Sequence, residues 1–298
     1  MTVERKTRLD GLAVLLLVGC CALWGLNQVA AKVTLAEIPP LMQAALRSLG
    51  AALLLVLWAK LRGIDLWQRD GTTRGGLLAG LLFAGEFACI FVGLQYTAAS
   101  RMIVFIYLAP FVVALGMPLI ARSERLHAAQ MLGLALAFGG VVWAFFEGFD
   151  APAAGPRQWL GDALGIVAAL LWALTTLVLR GSRLSSALPE KTLLWQLLVS
   201  AVALGLGSLA AGEALRAMPT AAALWPLAFQ TVIVTFGSYL VWFWLIRHYP
   251  ATRISAFTLL TPIFGLLAGV LLLGEPVTTR LLVALAAVVA GIALVNRS

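Results

Sequence analysis

The amino-acid sequence predicts an all-α integral membrane protein of ten transmembrane helices, arranged as two inverted five-helix repeats. Three observations carry this expectation. Of 298 residues, 62% are hydrophobic and 11% charged, against about 45–50% apolar and about 25% charged in soluble domains. Ten stretches approach the roughly 20 apolar residues that a bilayer-spanning helix needs. Residues that punctuate the first half recur in order in the second. This composition excludes a soluble globular domain, a disordered chain and a nucleic-acid-binding module. The net charge is +8, yet the cations lie scattered between apolar stretches rather than in a polybasic run.

Read between charged and Gly/Pro-rich breaks, the spans are 11–33, 40–60, 75–95, 99–121, 126–147, 160–180, 190–212, 221–246, 251–273 and 278–296. The longest polar breaks, 61–74 and 148–159, are too short for a soluble domain. Span 1 needs one distinction. Arg5, Lys6 and Arg8 followed by an apolar run to Cys20 look like a lipoprotein signal. The apolar stretch continues to about residue 33, beyond a signal core of about 7–15 residues, so it reads as a span. Cys20, Cys21 and Cys89 lie inside apolar stretches without paired spacing and read as small buried hydrophobes.

Lys and Arg set the orientation. With a cytoplasmic N-terminus, the inner segments hold fifteen of them, Arg5, Lys6, Arg8, Lys60, Arg62, Arg69, Arg74, Arg122, Arg125, Arg180, Arg183, Lys191, Arg247, Arg253 and Arg297. The outer segments hold five, Lys32, Arg101, Arg157, Arg216 and Arg280, and Arg47 stays within span 2. Both termini are therefore expected in the cytoplasm.

The internal repeat is read residue by residue. Leu23-Trp24-Gly25 in span 1 matches Leu171-Trp172-Ala173 in span 6, and Tyr96, Pro110, Glu124 and Gly140 match Tyr249, Pro262, Glu275 and Gly291. The offset stays between 148 and 153 residues. The expected organisation is one repeat over 1–148, a linker over 149–159 and a second repeat over 160–298. Five spans is an odd number, so the second copy enters the membrane from the opposite side. Two interchangeable halves of this kind are a recurrent transporter design.

These residues, Trp24-Gly25, Arg47 and the run Tyr96, Pro110, Glu124, Gly133, Gly140 with its second copy Tyr249, Pro262, Gly274-Glu275-Pro276, Gly291, resemble the EamA-type branch of the drug/metabolite transporter superfamily. The resemblance covers nearly the whole chain. Together with Glu86, the overall pattern is most similar to YddG-like exporters of aromatic and neutral amino acids. It implies a central cavity among spans 1, 3, 4, 6, 8 and 9, with spans 5 and 10 peripheral. Span 1 lacks the glutamate of the four-span multidrug exporters, so their proton-exchange mechanism does not carry over.

Ionisable groups at membrane depth cost at least about 2.5–3.5 kcal/mol at a helix centre and are therefore functional candidates. Arg47 and Glu86 lie at depths of about 10 and 15 Å from the same side at 1.5 Å per residue, within reach of each other. They read either as an ion pair locking two helices or as a site in which Glu86 engages a substrate ammonium or a proton. Span 1 places Trp24, Asn27 and Gln28 on one face, and span 6 places Trp172, Thr175 and Thr176 at the same spacing. An indole beside an amide or hydroxyl suits an amphipathic substrate, although the same residues also glue helices together. Phe83, Tyr107, Tyr239 and Thr258 complete the expected substrate site, with Ser255 and Thr261 as further hydroxyls. Pro110 and Pro262 sit mid-span at equivalent positions, where a lost backbone hydrogen bond marks a kink and points to a midplane site.

Glu275 and Glu124 read as caps on the helices of spans 10 and 5. Trp58, Trp159, Trp225, Trp242 and Trp244 read as interface anchors. His127 and His248 lie near span ends without ligand partners, so no metal and no cofactor is called for. No HExxH, phosphate-binding glycine loop or Ser/His/Asp set is present, which speaks against an intramembrane enzyme or an ATP-driven pump. A channel or an intramembrane enzyme is the alternative of a different class, although nothing resembles a charged ring or a carbonyl filter. The expected protein is an inner-membrane secondary exporter of small amphipathic molecules, a monomer or homodimer in lipid. Drugs, nucleosides or other metabolites are the alternative cargo.

Overall fold

A computed structural model of the chain describes residues 10–120, 128–150, 152–249, 258 and 260–295. Glu124, His127 and Ser255 lie outside these residues, as do the basic residues at 5–8, 122, 125, 253 and 297. The described residues form helices α1 (Gly11–Thr34), α2 (Pro40–Leu61), α3 (Thr73–Gly93), α4 (Ala99–Ile106), α5 (Ala109–Ile120), α6 (Ala128–Asp150), α7 (Gln158–Gly181), α8 (Pro189–Ala210), α9 (Ala221–Ala228), α10 (Tyr239–His248), α11 (Leu260–Leu273) and α12 (Thr279–Val295). Six continuous stretches are long and apolar enough to cross a membrane, and four shorter apolar helices join them. The chain is an all-helical, multi-pass membrane protein.

Two expected spans are interrupted. In span 4, α4 stops at Ile106 and α5 restarts at Ala109. The cause is Pro110, which has no N–H and whose ring collides with the carbonyl four residues earlier, that of Ile106. In span 8, α9 gives way to a π-helical stretch over Phe229–Ser238 before α10. The sequence reading did not anticipate this stretch. Pro226 within α9 removes one rung just ahead of it, and π segments concentrate at functional positions. Pro262 is the third residue of α11, one turn after Thr258, whose carbonyl accepts from the Thr261 amide at 3.1 Å.

Packing follows from small residues. α1 crosses α11 where an added Cβ at Gly25 would lie 2.6 Å from the Gly265 nitrogen. α6 packs along α12 at Gly133 and Gly140, the former 2.6 Å by the same measure from the Gly291 carbonyl oxygen. α3 lies on α7 and α8, α2 on α8 and the π stretch, and α4 and α5 on α7. The buried apolar core divides into a cluster centred on α2, α3 and α8 and another on α4, α6 and α12. Leu53, Leu57, Leu81, Leu209 and Leu271 remain exposed on the outside of the bundle, as a lipid-facing surface requires.

The loop between α2 and α3 docks on the opposite half through Asp70, which accepts from Lys191 Nζ at 2.8 Å and from the Thr72 hydroxyl at 2.6 Å. The Lys191 ammonium and Thr72 hold the Asp70 carboxyl well below its ordinary range. A depressed carboxyl contributes stability above its unfolded-chain value and loses it as pH falls through the folded one. Asp70→Asn is therefore expected to lower the melting temperature at neutral pH, with the gap from wild type closing below about pH 4. A gap independent of pH would remove Asp70 from this role.

Candidate functional site

Aromatic and charged side chains meet where α1, α2, α3, α4, α7 and α10 approach one another. On α1, Trp24 donates its indole N–H to Ser238 Oγ at 2.9 Å. Its ring stands edge-on to Trp242 at 5.1 Å and to Tyr239 at 6.4 Å. Tyr107, at the break after α4, packs edge-to-face on Trp172 of α7 at 5.7 Å. It lies within electrostatic range of Tyr239. Tyr239 in turn lies within electrostatic range of Arg47 and Glu86. Ring contacts pair Trp24 with Tyr239 and Tyr107 with Trp172, and electrostatic proximity relates these pairs to Arg47 and Glu86.

Arg47 is fully buried, and its guanidinium carbon lies 3.8 Å from the Phe87 ring centroid and 5.3 Å from that of Phe91. Phe83, Phe87 and Phe91 follow at i, i+4, i+8 on α3 and touch in sequence at 4.6 and 6.1 Å. The sequence reading found Phe83 and missed the other two, although the four-residue spacing carried the signal. None of the Arg47 nitrogens has a hydrogen-bond partner among the described residues. The ion-pair expectation therefore takes a looser form here. Arg47 and Glu86 are in electrostatic range, but no hydrogen bond joins them. A cation–π contact is worth about 0.5–2 kcal/mol, whereas burying an unpaired ion costs several kcal/mol. The aromatic contact does not offset that cost.

Other buried polar atoms are also unmatched. On α1, α2, α3 and the π stretch they are Asn27 Oδ1, Gln28 Oε1, Gln43 Oε1, Ser48 Oγ, Glu86 Oε2 and Thr235 Oγ1, and on other elements they include Ser100 Oγ, Gln158 Nε2 and Glu190 Oε2. Buried polar groups are nearly always hydrogen-bonded. The six on α1, α2, α3 and the π stretch are therefore available to polar groups from elsewhere. Other expected site residues stand differently. Thr175 and Thr176 donate their hydroxyls to the Leu171 and Trp172 carbonyls of their own helix, at 2.9 and 3.1 Å. Thr258 is half-buried just ahead of α11.

Two sequence expectations need correction. Trp242 is no interface anchor, because it packs on Trp24. Trp225, by contrast, is 76% exposed. Glu275 does not cap the helix that follows it. Its two oxygens accept from the Ala99 and Ser100 amides, at 2.7 and 2.9 Å, and so cap α4. The first turn of α4 is positive and has no partner of its own, and the fold delivers Glu275 to it.

Glu275 belongs to a charged cluster at the face where α1 ends, the face that the Lys/Arg bias reads as the outside. Lys32 Nζ donates to the Thr97 carbonyl at 2.5 Å and lies 3.6 Å from Glu275. Arg101, counted among the outer cations at the start of span 4, is buried in the first turn of α4. It binds Asp162 through Nε and Nη2 at 3.2 and 2.6 Å, and Glu147 through Nη1 at 2.6 Å. Lys32, Arg101, Glu147 and Glu275 border a cleft of about 360 Å³. At the same face Glu213 caps α2 through the Leu41 and Met42 amides, at 3.2 and 2.8 Å. Glu37 binds the Thr220 amide and hydroxyl, each at 2.6 Å, ahead of α9, and these bonds hold its carboxyl below the ordinary range.

The EamA-like transporter family model matches residues 11–146 and again 159–297. The chain belongs to the EamA-like transporter family. The expected place in the drug/metabolite transporter superfamily follows. This EamA-like transporter is 30% identical to the Bacillus subtilis transporter YvbV over 98% of its own length and 92% of the relative's. It is 30% identical to a probable amino-acid metabolite efflux pump of Escherichia coli, over 91% of this chain and 89% of that one. A solved crystal structure aligns with TM-score 0.68 at 20% identity over 96% of both chains, a likeness in fold.

Proposed function

We propose that this transporter is an inner-membrane secondary exporter of small amphipathic metabolites, aromatic and other neutral amino acids foremost, with both termini cytoplasmic. The observation that carries the reading is the junction of Trp24, Tyr107, Trp172 and Tyr239 with the unmatched charges of Arg47 and Glu86. Rings supply apolar area, and a few placed polar groups supply orientation. The name of the Escherichia coli relative favours amino acids as cargo. Transport here needs no bond-making chemistry.

The two halves act as inverted repeats that rock around the site in alternating access. Two findings support this. The family model matches each half separately. Exchanging spans 1–5 with 6–10 also turns contacts into contacts: α1 on α11 becomes α7 on α4 and α5, and α3 on α8 becomes the π stretch on α2. Glu213, Glu275 and Glu37 each cap a helix of the opposite half at one face, so that face is latched in this conformation.

Flux of labelled amino acids into proteoliposomes, with and without a pH gradient, tests the reading. Saturable, competable transport of tryptophan or phenylalanine is expected, with at least a tenfold loss in Trp24→Ala, roughly the loss of one ring's contacts. A pH-gradient effect abolished by Glu86→Gln would assign coupling to that carboxylate. Absence of amino-acid flux, with flux of drugs or nucleosides in the same vesicles, would overturn the amino-acid reading.

A further inference from the structure

We infer that Arg47 is the anchor for a substrate carboxylate, so that this transporter selects molecules bearing one carboxylate over their neutral amides. The inference rests on the transporter reading above and assigns Arg47 a task within that site. Arg47 is buried completely, and Nε, Nη1 and Nη2 all lack a hydrogen-bond partner among the described residues. A guanidinium carries five N–H donors in a planar fork that matches a carboxylate in bidentate fashion. The guanidinium carbon lies 3.8 Å from the Phe87 ring centroid. A ring contact of this kind takes up none of the hydrogen-bond acceptor sites that the N–H donors require.

The neighbouring groups narrow the class of anion. Glu86 lies in electrostatic range and has an unmatched oxygen of its own. One cation beside one anion leaves no surplus positive charge, which disfavours a phosphate dianion. The same arrangement suits a zwitterion, with its carboxylate on Arg47 and its ammonium on Glu86. Asn27 Oδ1 and Gln28 Oε1 on α1 are also buried acceptors without a partner among the described residues. Tyr239 lies within electrostatic range of Arg47, and Trp24 stands edge-on to Tyr239 at 6.4 Å, so these two rings receive the side chain in this proposal. The geometry thus separates three recognitions: carboxylate, ammonium and apolar body.

The experiment compares matched pairs that differ only in the carboxylate, measured by binding to the purified protein in detergent. The pairs are tryptophan with tryptophanamide, phenylalanine with phenylalaninamide, and indole-3-acetate with indole-3-acetamide. Charge-assisted hydrogen bonds of this kind predict about 10- to 100-fold weaker binding of each amide that has a binding acid partner. Arg47→Gln should erase the difference within a pair, and Arg47→Lys should restore part of it. The wild-type comparison stands alone if a variant fails to fold. Amino acids that bind no better than their amides would overturn the role of Arg47 and leave the exporter reading intact. Indole-3-acetate binding through Arg47 while no amino acid binds would keep the role and overturn the amino-acid reading. No discrimination in any pair would overturn the role outright.

Discussion

Arg101→Met is expected to cost this protein its stable fold. Arg101 is the shared cation of two carboxylates, and the side chains of Arg101, Glu147 and Asp162 are 5%, 9% and 0% exposed. Its Nη2 also donates to the Ala144 carbonyl at 2.7 Å. Removing the guanidinium leaves both carboxylates buried without their cation. Breaking one such pair from one side costs about 3–5 kcal/mol, a large part of a typical folding free energy of about 5–15 kcal/mol. Thr97 and Thr278 donate hydroxyls to Asp162 and Glu147, at 2.6 and 2.9 Å, but neither supplies charge. Thermal unfolding followed by size-exclusion chromatography should show a melting temperature lower by at least about 6 °C. The triple variant Arg101→Met, Glu147→Gln, Asp162→Asn should recover most of that loss, because the penalty belongs to the stranded charges. A single variant that melts with the wild type would show that this cluster is solvated and contributes little.

Gly25→Ala carries the second large effect, and α1 contains its own control. An added Cβ at Gly25 meets the Gly265 nitrogen at 2.6 Å and the Phe264 carbonyl carbon at 2.9 Å. Both are backbone atoms and cannot rotate aside, so α1 and α11 must separate. Overpacking of this kind costs about 1–3 kcal/mol. It also moves Trp24, the adjacent residue, away from Tyr239 and Trp242. A lower melting temperature and a large loss of flux are expected together. Gly19 on the same helix has nothing within 4 Å of an added Cβ. There, alanine should be neutral or stabilising by about 0.5–1 kcal/mol, since glycine is the weaker helix former. Equal behaviour of the two variants would sink the claim that the Gly25 crossing is closed.

Much of this protein is legible without a structure. Local rules suffice for the helical membrane class and for the break at Pro110. They also suffice for the isolation of Arg47 and Glu86 inside apolar stretches, and for the recurrence of Trp24-Gly25 as Trp172-Ala173. Each depends on residues within one turn or one span, where composition, proline chemistry and the cost of charge in lipid act directly.

Other features needed the folded chain. Glu275 reads locally as the cap of the helix after it, yet it serves Ala99, 176 residues earlier. Arg101 reads as an outer cation at the start of span 4 and becomes the centre of a buried network. Trp242 reads as an anchor and becomes part of the aromatic cluster, while Thr175 and Thr176 spend their hydroxyls on their own helix. The sequence alone determined which segments cross the membrane and which residues are out of place there. Only the tertiary structure decided which face of each helix meets protein. The physical reason is that lipid is as apolar as a leucine side chain. The hydrophobic pattern that sorts inside from outside in a soluble protein is nearly flat here. Close backbone crossings and long-range caps set the faces instead.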